Sequence, residues 1–191
     1  MIRVSGVPVR RSGTSTPETR IMDGGDDGPV LELRVCALDH PDAVRLNDDI
    51  QAYYREVYGD GDVTVLVPEQ FSAPRGRYLI GYDPGGAPVA TGAWRPVDAT
   101  DEDPVLRDGD AEIKRMYVVP AARGSGHART LLAELERTAA DAGRRRMILE
   151  TGTAQPDAMS LYRACGYHPI GRFGTYRDDH HSRCFGKPLR E

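Results

Sequence analysis

The chain has little cysteine, no surplus of positive charge and no long apolar run, and each shortage excludes a class of protein. Three cysteines, Cys36, Cys165 and Cys184, occur among the 191 residues without any CxxC spacing. This usage indicates neither a disulfide framework nor a zinc knuckle, and it is typical of a reducing compartment. The formal net charge of -4 argues against a nucleic-acid partner, because such binding depends on a basic surface.

Length and hydropathy predict a single domain outside membranes. No stretch is apolar over enough residues to cross a bilayer, so we expect no membrane partner and a cytoplasmic location. A chain of this length with 39% hydrophobic residues can bury one core. Residues 1–28 combine Gly, Ser, Thr, Pro and charge, which predicts a disordered tail, with Met22 as an alternative start. The domain is then expected over residues 29–191.

Hydrophobic periodicity predicts alternating strands and helices. In chain order we expect a strand over 30–36, a helix that ends before Gly59, a hairpin over 77–97, a strand ahead of Pro120, a helix over 128–142, a strand over 147–149, a helix over 156–165 and two final strands around a loop at 173–179. A strand, helix and strand in succession imply a parallel pair with a right-handed crossover. The predicted fold class is α/β, a mixed central sheet flanked by helices.

The stretch 111–128, AEIKRMYVVPAARGSGHA, carries the strongest chemical signal. It is typical of a strand, a sharp loop and the start of a helix. The loop glycines free the backbone, and the first-turn N–H groups of the helix together with its dipole favour a phosphate. Arg123 adds a forked, permanently charged donor. A phosphate-bearing ligand is therefore predicted here.

Two common phosphate-binding patterns fit this loop poorly. A P-loop needs a Lys and a Ser or Thr after its last glycine, but His127 and Ala128 follow Gly126. A dinucleotide fingerprint needs a third small residue where Arg129 stands. The RxxGxA pattern of Arg123, Gly126 and Ala128 instead resembles the acyl-CoA pyrophosphate loop of the GNAT N-acetyltransferase superfamily.

The resemblance continues beyond the loop. The segments RRMILETG and QPDAMSLYRACGY look like that family's next strand and its short helix with an LY pair before a GY, so the match covers residues 111–167. It implies an acyl-CoA N-acyltransferase fold and acetyl-CoA as cosubstrate, with no metal required. In the family the pantetheine arm lies between two parallel strands, and the thioester reaches backbone N–H groups of the first. The implied cofactor-binding residues here are Met116, Tyr117, Val118, Arg123, Gly124, Ser125, Gly126, His127, Ala128 and Gln155, the last standing where the family often has Asn.

Two residues are candidate catalysts. Tyr162 lies on the core side of its predicted helix, and the resemblance makes it the donor of a proton to the departing CoA thiolate; the alternative is simple packing. Glu112 lies four residues before Met116, which predicts the same strand face, and it matches a glutamate used as base in some family members. Its alternative role is an ion pair with Lys114 or Arg115.

The acceptor is less well specified by the sequence. In the family the acceptor site is built by the variable helix after the first strand and by the last loops, here around Tyr53, Tyr54, Phe173 and Tyr176. The acidic loop 98–110, which runs into Glu112, is either solvated surface or an attraction for a cationic acceptor. The cluster of Asp178, Asp179, His180, His181 and Cys184 matches no usual zinc pattern, so no metal site is predicted.

The function predicted from these residues is transfer of an acetyl group from acetyl-CoA to a primary amine of a small molecule by direct attack. We expect the amine to be cationic; a peptide acceptor and a homodimeric assembly remain open. Two alternatives belong to other classes: a non-catalytic acyl-CoA-binding or sensing module, and a dinucleotide-dependent oxidoreductase. The candidate acid and base argue against the first, and the missing third glycine argues against the second.

Overall fold

A mixed β-sheet forms the centre of the computed structural model, which describes residues 19–22 and 30–189. The strands are β1 Thr19–Met22, β2 Leu31–Val35, β3 Arg77–Tyr82, β4 Pro88–Val97, β5 Asp110–Val118, β6 Arg146–Gly152, β7 His168–Ile170 and β8 Ser182–Pro188. The α-helices are α1 Pro41–Tyr58, α2 His127–Asp141 and α3 Pro156–Ala164, with 3₁₀ helices at Pro68–Phe71, Pro120–Ala122 and Gly174–Tyr176. The sheet order is β1-β2-β3-β4-β5-β6-β8-β7.

The β5–β6 pair is parallel and the other neighbouring pairs are antiparallel. Helix α2 connects the parallel pair, as the strand, helix and strand order predicts. Helix α1 ends at Gly59, whose φ of 82° forms the left-handed cap that a glycine provides without steric cost. The predicted α/β class and the mixed sheet are confirmed.

Two hydrophobic clusters cover the two faces of the sheet. One joins α2 and α3 to the sheet through residues such as Leu131, Leu135 and Tyr162. The other joins α1 to the sheet through Ala43 and Leu46. Apolar residues at helical spacing on each helix account for both clusters, because one stripe of every helix must be buried.

Four residues of the predicted disordered tail form strand β1, which corrects that prediction for them. Thr19–Met22 pairs antiparallel with β2, although the composition of residues 1–28 predicts disorder throughout. The strand gains its order from tertiary pairing, which composition does not reveal. The rest of the predicted tail, 1–18 and 23–28, lies outside the described residues. Strand β6 is also longer than the predicted 147–149, because pairing with β8 continues to Gly152.

A bulge in β5 changes which side chains share a face. Lys114 pairs with Ala93 and Tyr117 with Thr91, so two residues of β5 oppose one of β4. Arg115 in the bulge has a φ of 56°, the left-handed region. Ile113 and Met116, three residues apart, consequently pack against the same cluster. The regular alternation of side chains along a strand therefore does not hold across the bulge, and the prediction that Glu112 and Met116 share a face is wrong.

Candidate active site

A cavity opens where β5 and β6 separate. Their pairing runs only from Asp110–Arg146 to Glu112–Ile148, and beyond it the two strands diverge. A cavity of about 340 Å³ occupies the gap. Its walls come from both strands, the end of α1, the segment after it, α3 and the β7–β8 connection. Such a gap between parallel strands exposes backbone that a ligand could approach.

Tyr162 and Met116 meet in this cavity. Tyr162 is 6% exposed, and its hydroxyl donates to Met116 Sδ at 3.6 Å. Burial raises the pKa of Tyr162, so the phenol keeps its proton at neutral pH. The ring also packs edge-on against Tyr167, with centroids 5.7 Å apart. Packing and a cavity-facing hydroxyl thus coexist in one side chain, and two predicted site residues are brought together.

Gln155 also lines the cavity and forms a bridge across it. Its Nε2 donates to the Tyr58 hydroxyl at 2.9 Å, joining the start of α3 to the end of α1. The Tyr58 ring lies against the backbone of Gly152. A Cβ atom added at Gly152 would lie 2.1 Å from the Tyr58 hydroxyl oxygen. Glycine is therefore required at this position for the bridge to form.

The glycine loop presents open space at the start of α2. Gly124 and Gly126 have φ values of 83° and 81°, and no atom lies within 4 Å of a Cβ built on either. The N–H groups of His127 and Ala128 at the start of α2 have no acceptor within the helix, whereas those of Arg129 and Thr130 donate to the Gly126 carbonyl. Ser125 is exposed between the glycines, and the His127 side chain is buried, which leaves its backbone for a ligand.

Arg123 lies exposed at the mouth of this loop. Its Nε donates to the Val118 carbonyl at 3.0 Å. Its guanidinium lies 5.7 Å from the Tyr117 ring and 5.8 Å from the Tyr53 ring. Of the predicted cofactor-binding residues, Met116 and Gln155 line the cavity, whereas Tyr117, Val118 and the loop residues 123–128 do not.

Glu112 is held by two cations outside the cavity wall. Arg95 contacts its Oε2 at 2.8 Å and Lys114 its Oε1 at 2.7 Å, and the carboxylate side chain is 5% exposed. The alternative ion pair with Lys114 is therefore present. The ion pair with Arg115 is not formed, because Arg115 binds Asp62 instead.

Glu150 is a cavity residue that sequence reasoning missed. It lies near the carboxyl end of β6, and Ser182 Oγ donates to its Oε1 at 2.7 Å. Burial raises the pKa of Glu150, an effect that Ser182 and the charge of Lys114 reduce, and that the charges of Glu112 and Asp62 increase. Its signal was its place just after the apolar run MIL, at the carboxyl end of a parallel strand.

Asp62 is a second missed residue, in the segment between α1 and Pro68–Phe71. It accepts from Arg115 Nη1 at 2.5 Å, from the Tyr176 hydroxyl at 2.9 Å and from the Thr64 N–H at 2.8 Å. Burial alone would raise the pKa of Asp62, but these hydrogen bonds and the Arg115 charge outweigh it and the pKa is lowered. No local sequence pattern predicted this contact.

The predicted acceptor residues divide into two groups. Tyr54 and Tyr176 line the cavity. Tyr53 lies beside Arg123 rather than in the cavity wall. Phe173 is 2% exposed and packs with Ile148 in a small separate cluster, so its assignment to the acceptor site is wrong. The loop folds the Phe173 ring inward, so the ring packs in the protein interior and does not face the cavity.

The acidic loop 98–110 does not line the cavity, so the structure does not support its predicted alternative role of attracting a cationic acceptor there. Its carboxylates serve local structure: Asp110 pairs with Arg146, Asp98 pairs with Arg144, and Asp103 accepts from the Gly174 N–H. The acidic residues that do line the cavity are Asp60, Asp62, Glu150 and Asp179.

Neither a metal cluster nor a membrane span is found over the described ranges, 19–22 and 30–189. No group of three or more His, Cys, Asp or Glu there could hold a metal ion. No helix in that part of the chain is both long and apolar enough to cross a bilayer.

The sequence matches the family described as Acetyltransferase (GNAT) family over residues 43–167, which include the glycine loop, α3 and most of the residues that line the cavity. The chain belongs to this family. It is therefore an acyl-CoA-dependent N-acyltransferase, and the oxidoreductase alternative is excluded.

Individual relatives agree with the family assignment. An IAA acetyltransferase of Azospirillum brasilense is 34% identical over 146 residues, covering 76% of this chain and 90% of the relative. The uncharacterized N-acetyltransferase YjgM of Escherichia coli is 28% identical, covering 74% and 83%. A crystal structure from Klebsiella pneumoniae, a provisionally assigned acyl-CoA N-acyltransferase, has 28% identity and a TM-score of 0.66, covering 83% of this chain and 97% of that one.

Proposed function

We propose that this acyltransferase moves an acetyl group from acetyl-CoA to a primary amine of a cationic small molecule by direct attack in the β5–β6 cavity. The observation that carries the proposal is the convergence of Tyr162, Met116 and Glu150 on one cavity between diverging parallel strands. A proton donor, backbone next to a bulge and a carboxylate with a raised pKa are the groups that amine acetylation needs.

The chain offers groups that fit acetyl-CoA. The open space beside Gly124 and Gly126 and the first-turn N–H groups of α2 would hold the pyrophosphate, with Arg123 adding positive charge at the mouth. The gap between β5 and β6 would hold the pantetheine arm, with Gln155 as a polar partner. Backbone donors around Met116 would stabilise negative charge on the thioester oxygen.

In the proposed reaction the amine nitrogen forms a bond to the thioester carbon as the carbon–sulfur bond breaks. Glu150 takes a proton from the amine, directly or through water, and the Tyr162 hydroxyl gives a proton to the departing thiolate. An ammonium with a pKa near 10.4 must lose a proton first, which costs about 4.6 kcal/mol at pH 7. We propose Glu150 rather than Glu112 as the base, because Glu112 holds two cations and lies outside the cavity wall.

The charge of the cavity supports a cationic acceptor. Asp60, Asp62, Glu150 and Asp179 line it, against Lys114 and Arg115. Both cations are already paired with carboxylates, Lys114 with Glu112 and Arg115 with Asp62. An incoming ammonium would therefore meet a surplus of negative charge, which favours its capture. This support comes from the cavity wall and not from the acidic loop 98–110.

The experiment that tests the function is thiol release from acetyl-CoA across a panel of acceptors. The panel should hold diamines, basic amino acids, neutral-bodied amines, a lysine-containing peptide, and IAA, which the Azospirillum relative's name specifies. We expect cationic amines to give the highest kcat/KM, and added salt to lower it most for them. Binding of acetyl-CoA without release of thiol for any acceptor would instead favour a sensing module.

Binding at the glycine loop has its own test. Acetyl-CoA at about a hundred times its Kd should add about 2.7 kcal/mol to the free energy of unfolding. Arg123→Ala should weaken CoA more than it weakens pantetheine, which lacks the pyrophosphate. An equal loss for both ligands would remove the pyrophosphate from the loop.

A further inference from the structure

We propose that Arg115 is a positioning residue of the acyl transfer, which fixes the acceptor side of the cavity to the β5 bulge through Asp62. The inference rests on the proposed function, since it concerns the placement of the amine relative to the thioester. It assigns a role to a residue that the family resemblance leaves without one. Three features of the molecule carry it: the backbone of Arg115, its buried side chain and the contacts of Asp62.

The backbone of Arg115 forms the bulge at the point where β5 leaves β6. Its φ of 56° is a sparsely populated conformation for a non-glycine residue, and it persists only when surrounding contacts enforce it. The next residue, Met116, contacts Tyr162. The bulge thus sets the direction of the backbone that faces the proposed thioester site.

The side chain of Arg115 is buried in a single, specific arrangement. It is 6% exposed, and its Nη1 lies 2.5 Å from Asp62 Oδ2, while Nη2 donates to the Thr64 carbonyl at 3.4 Å. A buried ion pair is poor evidence for added stability, because desolvation of both charges offsets their attraction. Its presence beside the cavity is better explained by the geometry that it enforces.

Asp62 contacts both segments that line the acceptor side of the cavity. Its backbone N–H and carbonyl are held by the two ends of the Gln51 amide, at 3.0 and 3.2 Å. Its Oδ1 accepts from the Tyr176 hydroxyl, and Tyr176 in turn accepts from the Val63 N–H at 2.9 Å. The α1–β3 connection and the β7–β8 connection therefore meet at one carboxylate, which Arg115 ties to β5.

The consequence concerns alignment. Two connections without extended secondary structure shape the acceptor side, and their distance from the strand that would bind the thioester is set at Asp62 and Arg115. A displacement of about 1 Å between reacting groups can lower a rate by about 10²-fold. Loss of the pair should therefore affect transfer to the amine and leave CoA binding at the separate glycine loop intact.

The test uses Arg115→Gln, Asp62→Asn and the double variant, with the best acceptor of the wild-type protein. We expect each single change to lower kcat/KM for the amine by about 10²-fold with an unchanged Kd for CoA. The double variant removes both buried charges, so its Tm should recover relative to the singles. Its kcat/KM should stay as low as theirs, because the walls are still not fixed to β5.

Two further variants keep the test decisive if a single change prevents folding. Tyr176→Phe removes one hydroxyl and should raise the acceptor KM by about 10-fold with little change in Tm. Arg144→Gln breaks an arginine–aspartate pair that is not part of the cavity wall and is the control, with no expected change in kcat/KM.

Recovery of kcat/KM together with Tm in the double variant would overturn the proposal, since the pair would then serve stability alone. Parallel loss of CoA affinity in the single variants would overturn it as well. A wild-type protein that acetylates no amine would instead refute the proposed function, so the two failures are distinguishable.

Discussion

The two halves of β5 differ in what their neighbours allow. Over residues 110–112 the strand is paired on both sides, and its carboxylates, Asp110 and Glu112, each bind arginine or lysine. Beyond Glu112 the strand loses β6, contains the bulge at Arg115 and lines a cavity. One continuous strand thus has a closed half that is paired on both sides and an open half that faces a cavity.

The difference teaches that buried carboxylates have different uses on the two sides of the point where β5 and β6 separate. In the closed half a buried carboxylate is acceptable only with a cation beside it, and such a group is occupied. In the open half backbone and side chains remain accessible to a ligand. Glu150, across the gap on β6, belongs with the open half, because its recorded side-chain partner is a hydroxyl rather than a cation.

The largest effect expected in the open half comes from Tyr162→Phe. The ring and its packing remain, but the proton for the leaving thiolate is lost, so turnover should fall by about 10²- to 10⁴-fold. Steady-state kinetics and calorimetric titration with CoA measure the two quantities, and CoA affinity should not change. Turnover at the wild-type level would make Tyr162 a packing residue and weaken the contrast between the halves.

In the closed half Asp110→Asn should act on stability instead. Asp110 is 1% exposed at its side chain and binds Arg146, so the change leaves a buried arginine without its partner and should cost about 3–5 kcal/mol. Denaturant unfolding measures this loss. The exposed pair of Asp98 and Arg144 supplies the control, and Asp98→Asn should cost far less. Turnover per folded molecule should be unchanged in both variants.

Glu150→Gln should lower turnover by about 10²-fold near pH 7. A base acts only when deprotonated, so activity of the wild-type protein should fall as pH decreases through the pKa of Glu150, which burial raises above its ordinary value. The variant should lack this acidic limb, and its deficit should shrink as pH rises toward the pKa of the amine itself. A deficit that is the same at all pH values would exclude Glu150 as the base.

Glu112→Gln should have a smaller effect on turnover, below about 10-fold and independent of pH. The change weakens the contacts with Arg95 and Lys114, so the main loss should appear in Tm. The pH–rate profiles of the two glutamine variants show which of the two residues, Glu112 or Glu150, is the base. A strong, pH-dependent deficit at Glu112 would restore it as the base and break the comparison.

The smallest effect is expected from Ser182→Ala. The serine hydroxyl lowers the pKa of Glu150 by donating a hydrogen bond, so its loss should raise that pKa further. The acidic limb of the pH–rate profile should shift upward by the same amount. No shift would mean that the limb reports another group.

Sequence reasoning predicted the fold and the elements around the glycine loop because both depend on local patterns. Hydrophobic periodicity, the glycines and a short motif indicate the order of elements around the glycine loop and the Tyr162 helix. The α/β sheet, the parallel pair and the meeting of Tyr162 with Met116 agree with it.

The acceptor side was beyond such reasoning for two physical reasons. The bulge at Arg115 inserts one residue, so side-chain alternation computed from Glu112 places the wrong residues together. Asp62 meets Arg115 and Tyr176 through contacts 53 and 114 residues apart, which no local signal encodes. The acceptor-site predictions for Phe173 and for the acidic loop were wrong for a similar reason. Tertiary packing buries Phe173, and carboxylates of the loop pair with arginines elsewhere in the chain.

Strand β1 has a consequence for how the protein behaves at high concentration. Its four residues cover the outer edge of β2, and Arg20 reaches from it to Glu134 on α2 at 3.4 Å. An uncovered strand edge is a template on which another chain can pair. A version of the protein that begins after β1 would present the β2 edge with its free N–H and C=O groups. For that shortened chain, the first change should be self-association, seen as light scattering, before any loss of acetyl transfer.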